Sequence, residues 1–390
     1  MMRIWQLDPA NLTPYYNLAI CEALAQAGAH VTYFTSPFLY DALPLSTSFT
    51  TEYLYFRGVS QPWLKQTPRL RQALRGLTYP LGHWELIRRA QQQPPDVLHI
   101  QWSRLPRLDH WMIQSMKKLK IPIVHTVHDV VPLFDASLRQ TLERVYQSVD
   151  ALIVHGETNR RDLLTTYPSL REHVTILTLP HIELTEFQSP ANATPEQARR
   201  KLDLPNDAFV IGFFGVIKTY KGLDVLTTAW PHVQAALPKA HLLIAGKPDG
   251  PAEAALLHEL KKLPKTHVAD FFIPLSDVWA YHIASDIMVF PYHSITQSGA
   301  LISAMSYGVP IIVTDVGGLP ELVDGNGWVI PKNDPEALAQ TIINALSNAD
   351  TLRLMGARSR EIIQEQHSRA AVAQQLLALY QSIIRSLNTG

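Results

Sequence analysis

Four short runs in the second half of the chain carry apolar residues almost throughout, not at every second position: Phe209–Phe214, His241–Ala245, Ile287–Pro291 and Val309–Thr314. A strand that is apolar on both sides must be covered on both sides, and that burial belongs to a parallel sheet between helical layers. A further strand is expected at Val268–Phe272. The first half repeats the rhythm at Ile4–Leu7, His30–Phe34, Val97–Gln101, Ile121–Thr126 and Ala151–Val154, with helices between them. One of those helices, Asn17–Ala27, ends at Gly28, which suits a glycine past a helix end. Alternating strands and helices imply an α/β chain with doubly wound sheets.

At 390 residues the chain is long enough for two domains. The stretch 181–195 (HIELTEFQSPANATP) breaks the rhythm and reads as a connection. The expected division is 1–183, a linker over 184–199, and 200–367, with an amphipathic helix over 368–390 returning to the first domain. Net charge is zero, with 18 Lys/Arg against 14 Asp/Glu in residues 1–180 and 16 against 20 in the rest. That split lacks the basic excess of a nucleic-acid binder. The N-terminal residues contain no apolar signal core and no stretch of eighteen apolar residues occurs, so a cytoplasmic protein is expected. The lone cysteine, Cys21, excludes an internal disulfide and sits in an apolar helical pattern. The Asn-x-Thr triplets at Asn11 and Asn192 read as accidental.

Phosphate chemistry is signalled between Phe290 and Glu321. The strand Ile287–Pro291 runs into a polar loop and then a small-residue helix opening at Thr296-Gln297-Ser298-Gly299, while Val309–Thr314 ends in Gly317-Gly318. Free N–H groups at a helix start, with the macrodipole, favour an anion, and Gly299 lets it approach the backbone. Upstream, FVIGFFGVIKTYKGLDVL (209–226) places Gly215, Lys218 and Lys221 on a loop at a strand end. Two ammonium groups there suit a diphosphate. Neither GxxxxGK[ST] nor GxGxxG is completed, so the ligand is a different class of nucleotide.

These segments, with HLLIAGKP and TQSGALISAMSYGVPIIVTDVGGLPELV, resemble the family-four GT-B retaining glycosyltransferases, in the branch with T-Q-S-G in place of the first acidic loop. The likeness covers Phe209 to about Pro335, and in the first half it is limited to layout and His125–Asp129. It implies two Rossmann-like domains facing across a cleft and a nucleotide-sugar donor, UDP- or GDP-linked, with no other cofactor. Donor contacts implied are Gly215, Lys218, Lys221, Gln297, Ser298, Gly299, Ala300, Ser303 and Glu321. Ile295 and Ser303 stand where the family carries two glutamates, so the sugar contacts of those carboxylates do not transfer. Lys218 and Lys221 would stabilise the leaving diphosphate, and His128 matches the histidine that touches the transferred sugar. No metal is expected, because no D-x-D triplet or zinc-like His/Cys spacing occurs. The implied reaction moves a hexose to a hydroxyl acceptor with retention. Asn11, Thr13 and Tyr15, in the glycine-free first loop, are the acceptor candidates, and His125 reads as packing.

Residues 57–89 hold seven Lys/Arg against one Glu, interleaved with Trp63, Tyr79 and Trp84. Such a segment suits an anionic membrane, and through it a lipid-linked sugar or glycolipid acceptor and a peripheral place on the inner membrane face. Two other readings stay open: a nucleotide-sugar epimerase on the same fold, and a catalytically silent binding or scaffold protein.

Overall fold

The computed structural model describes residues 1–38, 43, 46–59, 67–130, 138–183, 190 and 193–389. The chain divides into two compact units, one of Met1–Ile182 with Ser368–Gly390 and one of Glu183–His367. Half of 184–199, residues 184–189 and 191–192, lies outside the described residues. Its last part opens the helix Pro195–Lys201, where Thr194 accepts from Gln197 N and Gln197 answers at the Thr194 N–H.

The first unit holds seven parallel strands: β1 (Arg3–Asp8), β2 (His30–Thr35), β3 (Thr50–Tyr53), β4 (Val97–Ile100), β5 (Ile123–Thr126), β6 (Ala151–Val154) and β7 (Thr175–Thr178). Their order is β3-β2-β1-β4-β5-β6-β7. The second unit holds β8 (Phe209–Phe214), β9 (Ala240–Ala245), β10 (Thr266–Ala269), β11 (Ile287–Phe290), β12 (Ile311–Thr314) and β13 (Gly327–Ile330), ordered β10-β9-β8-β11-β12-β13. Both sheets are parallel throughout, as the doubly apolar runs require.

Three strands go beyond the sequence reading, and all are edge strands: β3, β7 and β13. Each is only partly buried, and β3 (TTEY) and β7 (TILT) lack the apolar run of a strand covered on both faces, whereas β13 (GWVI) is apolar and the sequence reading passed over it. The fourth edge, β10, sits two residues earlier than Val268–Phe272 would place it. The helix beginning at Pro14 starts three residues before the expected Asn17, with proline in its first turn. Two helices follow β13, Pro335–Leu346 and Ala349–Ile362. Asn348 breaks them by accepting from Thr351 N with its side chain.

Strand order reverses direction between β1 and β4 in one sheet and between β8 and β11 in the other. At such a switch point the loops leaving neighbouring strands diverge and open a crevice at the carboxyl edge. The C-terminal helix Arg369–Thr389 packs on helix Pro14–Gln26 and buries Val372, Leu376, Tyr380 and Ile383 in the first unit. Cys21 is fully buried there, and burial pushes its thiol well above the ordinary range.

Candidate active site

In the second unit, β8 and β11 are hydrogen-bonded neighbours, and so the loop with both lysines leaves the sheet beside the loop that opens helix Gly299–Ser306. Gly215 shows how close they come. With φ +111, a Cβ there would lie 2.7 Å from Lys221 Nζ and 3.6 Å from Ala300 Cβ. Gly215, Lys221 and Ala300 therefore share one small space at the helix start. Ser298 caps that helix, accepting from Leu301 N at 3.3 Å, with its hydroxyl 3.4 Å from that of Tyr292. The cap engages this side chain as a hydrogen-bond acceptor. Gly299 and Ala300 are half-buried at the first turn.

The electrostatics of this space are unbalanced. Lys221 is 8% exposed, and its Nζ stands 5.7 Å from the centre of the Tyr292 ring. Loss of water, and then the neighbouring Lys218 charge, bring its pKa down to about 8. Among the described residues no carboxylate pairs with it. Lys218 is half-buried with Nζ 3.9 Å from Asp249 Oδ2, a weak and solvated pair.

The downstream glycines act through packing. A Cβ on Gly317, where φ is +53, would stand 1.8 Å from the Ile295 carbonyl oxygen, and one on Gly318 would meet the Gln297 amide at 2.5 Å. Gly318 N donates to Thr296 O at 3.2 Å. The Gly317-Gly318 turn is thus the backing of the 295–298 loop, and only the 3₁₀ turn Pro320–Leu322 follows it. Gln297 is half-buried, and Glu321 is exposed on that turn. We expect Gly317→Ala to lower the melting temperature by several degrees and weaken nucleotide binding, since backbone must move. Gly318→Ala displaces a flexible amide, so thermal melts should show a much smaller loss.

Ser303 departs from the donor role expected of it. It is 6% exposed, and its hydroxyl lies 3.0 Å from Nε2 of the fully buried His282, whose ring stacks on Tyr307. Burial takes His282 down to about 3, so it is neutral. Ile295 packs against the apolar core. Of the positions where the family carries glutamates, one is a core contact and the other a buried serine–histidine pair.

In the first unit the carboxyl ends of β1, β4, β5 and β6 bring together polar groups far apart in sequence. Asp8, fully buried at the end of β1, accepts from Ala10 N (3.2 Å), Leu12 N (2.8 Å), Thr13 N (3.3 Å) and Asn17 Nδ2 (2.9 Å). This carboxylate organises the loop that lacks glycine, and Asn11 takes the left-handed position at φ +52. Asn11 is also spent structurally: its Nδ2 donates to Ser36 O at 2.8 Å and the Tyr33 hydroxyl donates to its Oδ1 at 3.0 Å. Thr13 Oγ1 accepts from Trp102 Nε1 at 3.1 Å. Tyr15 is half-buried, edge-on to Phe38. Of the three acceptor candidates, Asn11 is thus internal scaffolding and Thr13 fixes Trp102.

Trp102, which no sequence signal marked, stacks on His128 with ring centres 4.7 Å apart and 14° between planes. His128 Nε2 lies 2.9 Å from Gln101 Oε1, Gln101 Nε2 lies 3.2 Å from His99 Nε2, and His99 Nδ1 lies 2.7 Å from the Tyr380 hydroxyl. Thr126 Oγ1 also reaches His99 Nε2 at 2.8 Å. As the Gln101 amide is oriented, its Nε2 donates to His99 Nε2, which assigns the His99 proton to Nδ1. Gln101 then presents its oxygen to His128, which carries Nε2–H and keeps a lone pair on Nδ1. Desolvation and the surrounding histidines push His128 well below its ordinary value, so the neutral ring persists. Tyr16 sits edge-on to both His128 and His155. His125, expected as packing, is buried with Nε2 3.1 Å from Ser103 Oγ, and burial takes it to about 4.

Among the described residues no group of three or more His, Cys, Asp or Glu side chains is arranged to hold a metal ion. Nor is any helix among them long and apolar enough to cross a membrane.

Residues 15–178 match the family model described as Glycosyltransferase Family 4, and residues 208–348 match that of Glycosyl transferases group 1. A D-inositol 3-phosphate glycosyltransferase from Corynebacterium kroppenstedtii is 25% identical over 296 residues, 70% of this chain and 64% of that one. Its counterpart from Mycolicibacterium gilvum is 30% identical over 57% of this chain and 52% of its own. The aligned part thus spans less than two thirds of either relative's length. Among solved structures, sucrose-phosphate synthase from Thermosynechococcus elongatus superposes over 99% of this chain and 100% of its own, with a TM-score of 0.75 at 21% identity. HepE of Anabaena, in complex with UDP-glucose, covers 98% of this chain and 100% of its own, with a TM-score of 0.72 at 14% identity. Two parallel sheet units, each matched by a glycosyltransferase family model, and a terminal helix returned to the first unit make this chain a member of glycosyltransferase family four, on the GT-B fold.

Proposed function

We propose that this chain transfers a hexose from a nucleoside diphosphate sugar, UDP- or GDP-linked, to a hydroxyl acceptor with retention of anomeric configuration. One observation carries the reading: a buried lysine that has no acidic partner among the described residues stands at a helix N-terminus. A desolvated ammonium is costly unless an anion joins it, and Lys221 with Lys218 and the Gly299–Ala300 N–H groups matches a diphosphate. HepE of Anabaena was solved with UDP-glucose, which favours a nucleotide sugar over other diphosphates.

In this reading the bond between the anomeric carbon and the diphosphate oxygen breaks as charge builds on the leaving group. The two lysines and the helix dipole meet that charge. The acceptor oxygen attacks the same face, and its proton passes to a donor phosphate oxygen. The second unit binds the donor, with Gln297 as sugar contact and Glu321 at its margin. In the first unit, His128 offers Nδ1 to a sugar hydroxyl, and Tyr15 contacts the acceptor. A lipid-linked sugar or glycolipid fits the basic character of the first unit and a peripheral place on the inner membrane face.

The test is a melting series with UDP, GDP, ADP and dTDP, then UDP- and GDP-sugars. A ligand at a hundred times its Kd adds about 2.7 kcal/mol, which is several degrees. If no nucleotide moves the transition, the donor site is misassigned. NMR of the anomeric proton in the product then reads retention directly.

A further inference from the structure

Helix Pro68–Gln92 has two faces that differ in kind. Its inner face is held by Tyr79, His83, Leu86 and Ala90, all buried. The Tyr79 hydroxyl donates to Asp109 Oδ1 at 2.6 Å. His83 bridges that oxygen at 3.0 Å to the Tyr55 hydroxyl at 2.8 Å. Tyr79 therefore belongs to the core, contrary to the surface role read from the sequence, while Trp63 lies outside the described residues. The outer face carries Leu70, Leu77, Leu81 and Trp84, at 48%, 74%, 64% and 58% exposure. Spacings of seven, four and three put these four on one stripe. A solvated helix places polar residues there.

Two more observations bear on what covers the stripe. The adjoining helix, Pro106–Lys118, packs beside this one through Asp109 and exposes Trp111 at 43%, with Arg104 and Arg107 exposed at its start. Arg69 is exposed next to Leu70. The charge is also concentrated: the first unit carries 20 Lys/Arg against 14 Asp/Glu, the second 14 against 20.

We propose that the outer face of helix Pro68–Gln92 is a docking surface for an anionic lipid bilayer, with Leu77, Leu81 and Trp84 entering the interface and the arginines meeting phosphate headgroups. A protein partner would need no excess of one sign over the whole unit. A bilayer rewards exactly that combination of a shallow apolar stripe and diffuse positive charge. The proposal is independent of the donor site, since none of these side chains belongs to it.

Flotation with vesicles of phosphatidylcholine alone, or with 30% phosphatidylglycerol, tests it. The full chain should float with the anionic vesicles, at least tenfold less with neutral ones, and much less in 0.5 M salt. Leu77→Glu with Leu81→Glu should lower anionic binding by tenfold or more, and Trp84→Ala should lower it severalfold. Both variants should keep the wild-type melting temperature and nucleoside diphosphate shift, because these side chains stand mostly in solvent. Failure to float, equal flotation with neutral vesicles, or unchanged flotation of the double variant overturns it. So does sedimentation showing a wild-type dimer that the double variant dissociates, since the stripe then serves a second copy. Flotation reads no catalysis, so its failure and failure of the transferase reading are separate results.

Discussion

Lys221→Ala is expected to reduce turnover by roughly 10²–10³-fold, the scale of removing one preorganised charge from a developing anion. Direct titration with UDP or GDP should show the same loss in binding, with the melting temperature unchanged or raised. The sign follows from burial: the wild-type fold holds an ammonium that water has left, and alanine relieves that cost. A silent scaffold would keep its partner through this change, so a retained partner with no turnover in the parent protein would favour that alternative.

The same residue sets a pH dependence. Lys221 is brought down to about 8 in the free protein, and a bound diphosphate stabilises its charged form. Affinity should be flat below pH 7 and fall as pH rises through 8, approaching tenfold per unit. Lys221→Arg keeps its charge throughout and should remove that fall, even where it binds less well. Isothermal titration between pH 6.5 and 9.5 separates the cases.

The second large effect is on stability. Asp8→Ala strips a common acceptor from three backbone N–H groups and Asn17 in a part-buried loop. Each orphaned donor costs about 1–3 kcal/mol, offset by the carboxylate no longer being desolvated, so a net loss of roughly 2–3 kcal/mol is expected. That is about 5–10 °C by calorimetry in a unit of this size. Trp102 should loosen from His128, because Thr13 holds the indole. Burial raises the Asp8 carboxyl to about 6 despite four donors that favour its charge. Its folded value exceeds its ordinary one, and so it favours the fold at low pH and loses that contribution as pH rises from 4 through 6. Asp8→Asn should flatten that part of the stability profile.

Much of this was legible in residues read one segment at a time. Doubly apolar runs located the central strands, because burial on both faces is written into each run. The edge strands β3 and β7 were not legible, since a partly exposed strand lacks that mark, while β13 was passed over although Trp328-Val329-Ile330 is apolar. Gly215, Lys221 and the Ser298-Gly299 helix start could be paired in advance because each sits at a strand end, and β8 and β11 proved to be neighbours. Ser303 could not be placed, because whether a helical residue faces ligand or core depends on what packs beside it, here His282.

Local sequence by itself determined the parallel layering, the two-unit plan and the lysine, glycine and helix-start pattern behind the proposed diphosphate pocket, since these follow from short-range patterns of burial, glycine and charge. Only the tertiary structure decided that Lys221 is desolvated, that Asn11 is scaffolding, and that the outward stripe of helix Pro68–Gln92 is apolar. It alone also joined Tyr380 to His99, 281 residues apart, and linked both through Gln101 to His128. The reason is physical: desolvation and hydrogen-bond direction belong to the atoms that surround a group, and the chain brings those atoms together only by folding.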